Sequence, residues 1–169
     1  MLKQRPRRLR SNHQIRSLVR ETRLGVDDLI YPIFLVEGNN IKKEISTLPG
    51  CYHFSVDMLK EEVEELIELG IKAVILFGVP DLKDEAGSEA YNENGIVQSG
   101  IKEIKKLSND IMVITDVCMC QYTNHGHCGI IENEAVDNDL TLEHLAKIAL
   151  SHVMAGADMV APSDMMDGR

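Results

Sequence analysis

Short apolar runs recur about every forty residues along the chain and alternate with longer segments of mixed polarity. Such runs are typical of strands that are buried on both faces. We predict four strands, at 29–36, 73–78, 111–115 and 159–161. Pro32 cannot donate a hydrogen bond to a central ladder, so we expect the first strand to be irregular or to lie near its own start at that point.

Between these runs, apolar residues recur every three or four positions, which is the spacing of one face of a helix. We predict three helices, at about 56–69, at 96–107 and from Thr141 to Gly156. Ser55 or Asp57 can cap the first helix and Thr141 the third, because their side-chain oxygens accept hydrogen bonds from free N–H groups. A long polar loop follows the second strand at 81–95, and loops of that length are usually functional.

The order of these elements, in which strands and helices alternate, predicts a parallel sheet with right-handed crossovers. Two α/β architectures satisfy that order: a small doubly wound sheet, and the first half of a (β/α)8 TIM barrel. No helical pattern follows the fourth strand to cover a free-standing sheet, which favours the half barrel. We therefore predict an N-terminal arm at 1–24 and about the first four barrel strands at 25–169, with a loop at 38–51 and two unpaired apolar edges.

Composition and charge are those of one globular domain, since 44% of the 169 residues are hydrophobic. The net charge is −9, yet residues 1–23 hold eight Lys or Arg and one acid, Glu21. This basic arm lacks interleaved aromatic residues, so we expect it to dock on a partner subunit and not on nucleic acid. No run approaches the ~20 apolar residues of a membrane span, and the N-terminus lacks the apolar core of a signal peptide. We expect a cytoplasmic protein with reduced cysteines.

Three of the four cysteines, Cys118, Cys120 and Cys128, follow the third strand within eleven residues. Thiolates at this spacing can converge on one soft or borderline cation such as zinc. Three ligands leave tetrahedral zinc one open position, as in catalytic sites. His125 or His127 could instead close a Cys3His site in a zinc-binding structural or metal-sensing module, and three buried thiols without a metal are the simplest alternative.

Polar side chains also follow the third and fourth strands. In a barrel, loops at the carboxyl ends of the strands point their side chains at one centre. We therefore expect Asp116, Ser163 and Asp164 to lie near the cysteines, where Asp116 could orient an amine or hold a proton. Loop capping and helix N-terminal positions are the plainer roles for these residues. No lysine lies at the carboxyl end of a predicted strand, where an amine nucleophile would be useful.

Five segments of the chain resemble the delta-aminolevulinic acid dehydratase family, also called the porphobilinogen synthases. The segments are 5–10, 29–38, 87–92, 116–129 and 161–169. The last two are the most specific, and the similarity runs the length of the chain. The resemblance implies a (β/α)8 barrel with an N-terminal arm that embraces a neighbouring subunit in a homo-octamer.

The resemblance also implies a reaction, in which two molecules of 5-aminolevulinate condense to porphobilinogen with loss of two waters, in haem and tetrapyrrole biosynthesis. In the zinc-dependent branch, cysteines at the spacing of Cys118, Cys120 and Cys128 hold the active-site zinc beside Asp116. Some members also bind magnesium at a further site. The two Schiff-base lysines of the family lie on later strands, beyond Arg169, so residues 1–169 alone are expected to be inactive.

Overall fold

The apolar runs form the middle of an open, mainly parallel sheet in the computed structural model, which describes residues 3–169. The strands are β1 (Ile30–Val36), β2 (Lys42–Glu44), β3 (Tyr52–Phe54), β4 (Ala73–Val79), β5 (Met112–Val117), β6 (Ile130–Glu132), β7 (Ala135–Asp137) and β8 (Met159–Pro162). The helices are α1 (His13–Leu18), α2 (Leu59–Glu68), α3 (Ile96–Leu107) and α4 (Asn138–Ala155). Short 3-10 turns occupy Pro6–Arg10, Val26–Asp28, Val56–Met58 and Ser88–Tyr91.

The main sheet has the strand order β2-β3-β1-β4-β5-β8. Its last four members are parallel neighbours that follow one another along the chain, with helices in the crossovers. The predicted α/β fold and parallel pairing are therefore confirmed. The sheet formed by the described residues does not close on itself, so the structure shows an open α/β sheet and no barrel. Closure of a (β/α)8 barrel requires eight strands that alternate with helices, and the described residues supply four such strands, β1, β4, β5 and β8.

The main core lies between the parallel strands and the helices α2 and α3. Leu76 of β4 and Val113 of β5 belong to one buried cluster with Val63 of α2 and Ile101 of α3, and none of these side chains is exposed. Both helices carry their buried residues on one stripe, as the sequence pattern predicts. This core fixes the relative positions of the strands whose ends carry the polar residues.

A second apolar cluster lies beside the carboxyl end of β5. It joins Met119 and Tyr122, which follow that strand, to Leu145 and Ile148 of α4. All four side chains are at most 5% exposed. Because apolar burial stabilises the folded chain, this cluster attaches the cysteine-containing loop to α4 independently of any metal.

A short hairpin extends the sheet beyond β1, where the sequence predicts only a loop at 38–51. In this hairpin, β3 pairs parallel with β1 at Phe34 and Leu35, and β2 pairs antiparallel with β3. The outer strand β2 consists of three exposed charged residues, Lys-Lys-Glu. Charged, short edge strands discourage further pairing. The prediction of two unpaired apolar edges is thus wrong for the β1 side, and β8 forms the open edge.

Two of the predicted helix caps are also wrong. A 3-10 turn precedes α2, whose N-cap residue Met58 makes no side-chain cap. Ser55 Oγ and Asp57 Oδ2 instead accept hydrogen bonds from backbone N–H groups at 40–41, at 2.9 and 2.8 Å. The N-cap of α4 lies four residues earlier than predicted, at Asp137, and Thr141 lies inside the helix.

The N-terminal segment carries no buried residue between positions 3 and 24. Its helix α1 is capped by the Asn12 side chain, which accepts a hydrogen bond from the backbone N–H of Ile15 at 2.9 Å. Positions 1 and 2 of the predicted arm lie outside the described residues. Docking of this arm on a partner subunit stays a prediction. None of the helices in the described residues is long and apolar enough to cross a membrane.

A buried histidine lies between α4 and β5. His152 is 0% exposed, and its Nδ1 lies 3.0 Å from Thr115 Oγ1. Its Nε2 has no hydrogen-bond partner among the described residues. Burial disfavours the charged imidazolium and lowers the pKa of His152 to about 4. The side chain is therefore neutral in the folded protein at neutral pH.

We predict that His152 makes the folded state sensitive to acid. Because its pKa is lower in the folded than in the unfolded chain, its contribution is retained above pH 6.5 and lost as pH falls toward 4. Between pH 7 and pH 4, the free energy of unfolding should fall by about 3 kcal/mol more in the unchanged chain than in His152→Asn. Urea unfolding at both pH values measures this difference. Equal losses in the two proteins would contradict it.

Candidate metal centre

Three cysteine side chains meet at the carboxyl end of β5. Cys118 follows the strand directly and is buried, and Cys120 and Cys128 are half-buried. Their Sγ atoms all lie within 4.8 Å of one another, and the Cys118 and Cys120 Sγ atoms are 3.4 Å apart. Cys51, the remaining cysteine, precedes β3 and is not part of the group. The structure thus brings together the three thiols that the sequence spacing singles out.

The sulfur positions fit a tetrahedral metal ion. A zinc ion bound to thiolates at ~2.3 Å places its sulfur atoms about 3.8 Å apart, which is close to the observed Cys118–Cys120 separation of 3.4 Å and below the 4.8 Å within which all three lie. Small side-chain rotations suffice to reach it. Three thiolates are soft ligands that suit zinc better than calcium or magnesium, which prefer oxygen.

The protonation of two of these thiols bears on metal binding. Burial and the neighbouring Cys118 raise the pKa of Cys120 to about 12. Burial, followed by interaction with Cys118, also raises the pKa of Cys128. Without a cation, Cys120 and Cys128 are therefore protonated at neutral pH. A metal ion that binds there must displace the thiol protons.

The two neighbouring histidines, His125 and His127, are not part of the cysteine group. Among the described residues, no His, Asp or Glu joins the cysteine group. His125 Nδ1 accepts a hydrogen bond from the backbone N–H of His127 at 3.1 Å, and its Nε2 lies 3.3 Å from the carbonyl oxygen of Glu85. The Cys3His arrangement considered from the sequence is therefore not formed in this structure.

Asp116 and Ser163 meet beside the cysteine group. Asp116 is the next-to-last residue of β5, and its Oδ1 accepts a hydrogen bond from the Ser163 hydroxyl at 2.6 Å. Its Oδ2 accepts one from Gln121 Nε2 at 3.0 Å. Burial raises the pKa of the Asp116 carboxyl and Asp164 adds to this effect, whereas the hydrogen bonds from Ser163 and Gln121 oppose it. The carboxyl group is held in one orientation by donors from two loops.

Asp164 is engaged within its own loop. Its side chain is 0% exposed and forms an ion pair with Arg169, whose Nη1 lies 3.3 Å from Asp164 Oδ2. Its Oδ1 accepts a hydrogen bond from the backbone N–H of Met166 at 2.7 Å. Arg169 Nη1 also donates to the carbonyl oxygen of Pro162 at 3.0 Å. Asp164 therefore stabilises the loop that presents Ser163, and no helix follows it within the described residues.

The sequence analysis does not identify two polar residues near the cysteines, Gln121 and Thr123. Gln121 holds Asp116, and Thr123 donates its hydroxyl hydrogen to the carbonyl oxygen of His127 at 2.9 Å. Their only sequence signal is their place between Cys120 and Cys128. No lysine occurs at 107–146 or 148–169, so neither of the two loops supplies an amine.

Known proteins are similar to this chain over almost its whole length. A sequence model of the family described as "Delta-aminolevulinic acid dehydratase" matches residues 3–169. A delta-aminolevulinic acid dehydratase of Ruminiclostridium josui is 66% identical over 165 residues, which cover 98% of this chain and 80% of that protein. One of Methanothermus sociabilis is 58% identical over 165 residues, which cover 98% of this chain and 51% of that protein.

A solved structure is similar over almost the whole chain. It is the delta-aminolevulinic acid dehydratase (porphobilinogen synthase) of Toxoplasma gondii ME49, in complex with the reaction product porphobilinogen. The TM-score is 0.94 at 38% sequence identity, and the match covers 99% of this chain and 49% of that one. The chain thus spans about half the length of this structure and of the Methanothermus sociabilis relative.

We predict that zinc binding depends on the grouped cysteines and not on the fourth. Cys128→Ser removes one of three ligands, so its zinc affinity should fall by more than the ~10–100-fold that is typical when only a group around the ligands changes. Cys51→Ser is the matched control and should bind zinc as the unchanged chain does. Competition with a chromophoric chelator measures both affinities. Equal affinities of the two variants would reject the cysteine group as the metal site.

Proposed function

The chain belongs to the delta-aminolevulinic acid dehydratase family, and from that premise we propose that it is the metal-binding half of a porphobilinogen synthase. The reaction is the condensation of two molecules of 5-aminolevulinate to porphobilinogen, with loss of two waters. The observation that carries the proposal is the group of three thiols at the end of β5, in a chain whose residues 3–169 match the family. The complex of the Toxoplasma gondii enzyme with porphobilinogen supports the same small-molecule chemistry.

We propose zinc as the metal held by Cys118, Cys120 and Cys128. The soft thiolate ligands and the Sγ separations support this choice. Zinc bound there supplies Lewis acidity, which polarises and orients one substrate molecule. The family resemblance also allows a magnesium site, but no residues of this chain are identified as its ligands.

Asp116 is proposed to orient the amino group of a substrate molecule. Each of its carboxylate oxygens accepts one hydrogen bond from the protein, from Ser163 and from Gln121. A carboxylate offers about four acceptor positions, so two remain for an ammonium group. Ser163 fixes the direction of those positions, and Asp164 supports Ser163 through Arg169. In this proposal Asp116 binds the substrate amino group, and Ser163 and Asp164 hold Asp116 in position. None of the three residues acts as a nucleophile.

The proposed reaction needs an amine nucleophile that this chain does not place in the site. Schiff-base formation with a substrate carbonyl requires a lysine amine. We propose that the Schiff-base lysines belong to the part of the family's length that this chain does not span. Together the two parts would form a closed (β/α)8 barrel, with the open edge of β8 as one junction.

The N-terminal segment is proposed to serve assembly. Residues 3–24 are exposed except for the partly buried Ile15, and they carry a strong positive charge, whereas the chain as a whole has a net charge of −9. Opposite charges favour association between such a segment and the acidic body of another copy. We propose a cytoplasmic homo-oligomer, an octamer by family resemblance, in which each arm contacts a neighbouring subunit.

We predict that the chain becomes active only with a polypeptide that supplies the remaining half of a family member. The mixture should form porphobilinogen from 5-aminolevulinate when zinc is present. The reaction should stop when a chelator removes the zinc. Asp116→Asn keeps the shape of the side chain but removes its charge, so kcat should fall by ~10²-fold or more. A colorimetric assay of porphobilinogen measures all three outcomes, with Cys51→Ser as the control that keeps full activity.

Porphobilinogen formation that survives chelation would reject zinc as the working metal. An inactive mixture that is fully folded and loaded with zinc would reject the proposed enzyme as a whole.

A separate prediction concerns the ligands of the bound zinc. Since no histidine joins the thiols, X-ray absorption should show three sulfur atoms and one exchangeable light atom. His127→Ala should leave this spectrum unchanged. A fixed imidazole in the unchanged chain, lost in His127→Ala, would instead support a closed structural site and a metal-sensing role.

A further inference from the structure

We propose that Thr123 is a positioning residue that holds together the two stretches of chain that carry the metal ligands. The inference rests on the proposed zinc site at Cys118, Cys120 and Cys128. These ligands come from two separate stretches, one at 118–120 and the other at 128. Something must therefore fix the distance between the stretches before an ion is bound, or binding would have to order the intervening loop.

Thr123 is bonded to both stretches. On the first, its backbone N–H donates to the carbonyl oxygen of Met119, which lies between two of the ligands, at 3.0 Å. On the second, its hydroxyl donates to the carbonyl oxygen of His127, which directly precedes Cys128, at 2.9 Å. One residue thus connects the backbone beside each group of thiols.

The turn between these bonds is closed by Thr123 as well. Its carbonyl oxygen accepts a hydrogen bond from the backbone N–H of Gly126 at 3.3 Å. Gly126 has a φ of +74°, a left-handed conformation that other residues rarely adopt. The turn reverses the chain so that the carbonyl group of His127 returns to the Thr123 hydroxyl.

Thr123 is itself anchored from outside the cysteine loop. It forms an isolated parallel bridge with Asp84 of the loop after β4, and the neighbouring Asn124 N–H donates to the Asp84 carbonyl oxygen at 3.0 Å. The Asp84 carboxylate in turn accepts hydrogen bonds from the backbone N–H and the hydroxyl of Ser88. Thr123 is only 2% exposed, so water does not compete freely for its hydroxyl. The hydrogen bond from the Thr123 hydroxyl to the carbonyl oxygen of His127, which we call the latch, is therefore buried and rests on a fixed support.

The test compares variants of the chain by zinc titration against a competing chelator. Thr123→Val replaces the hydroxyl by a methyl group of similar size, and zinc should bind ~10–100-fold more weakly. Thr123→Ser keeps the hydroxyl and should retain the affinity of the unchanged chain. If the valine variant does not fold, Thr123→Ala removes the same hydroxyl without added bulk.

Thr115→Val is the matched control for general loss of stability. Thr115 is also fully buried, and its hydroxyl contacts His152 on the side of the sheet that faces α4. The midpoint temperature of thermal unfolding, measured on the metal-free proteins, should fall in both valine variants. Only Thr123→Val should weaken zinc binding. This separation distinguishes positioning of the ligands from ordinary stabilisation.

The latch is rejected if Thr123→Val binds zinc as tightly as the unchanged chain, or if Thr115→Val weakens binding equally. It is also rejected if Thr123→Ser binds as weakly as Thr123→Val, since the methyl group would then be the relevant part. If the unchanged chain binds no zinc, the proposed metal site fails first, and the latch fails with it.

Discussion

The parallel pairing of β5 with β8 is the constraint on which the site depends. In this register Asp116 lies opposite Ala161 and Val117 lies opposite Pro162. Ser163 is therefore the next residue beyond the pair, where its N–H donates to the carbonyl oxygen of Val117 at 3.2 Å and its hydroxyl reaches Asp116. A slip of one residue would turn every side chain of β8 to the opposite face and separate the serine from the carboxylate. The register thus sets the geometry of the polar half of the site.

The metal half of the site depends on a different force, the burial of apolar side chains between the thiols. Met119 separates Cys118 from Cys120 in sequence and is fully buried, and Tyr122 is buried beside it. Gly78 of β4 makes room for the tyrosine, since an added Cβ there would lie 2.5 Å from the Tyr122 hydroxyl oxygen. Burial of these side chains therefore contributes to the shape of the loop. A metal that binds the thiols replaces their protons.

Much of this arrangement is predictable from the sequence, and the failures have physical causes. The four predicted strands, β1, β4, β5 and β8, are apolar runs with strong signals, whereas β2 and β3 have three residues each and show no periodicity. Ser55 and Thr141 are good capping residues by type, but each forms its hydrogen bonds with a distant loop or inside the helix. Spacing predicts the thiol group, while the roles of Gln121 and Thr123 depend on contacts that only the folded chain defines.

The two edges of the sheet differ in a way that bears on how a barrel could be completed. On the β1 side, β3 already pairs at Phe34 and Leu35, and the charged strand β2 covers β3. A closing strand would find only positions 30–33 and 36 of β1 unpaired on this side. On the other side, β8 offers its whole length, and Met159 is 49% exposed there. Unpaired backbone groups and exposed apolar surface both favour association. In the proposed barrel, a second half would therefore be held mainly at β8, next to the loop that carries Ser163, so that its attachment and the geometry of the site would depend on the same strand.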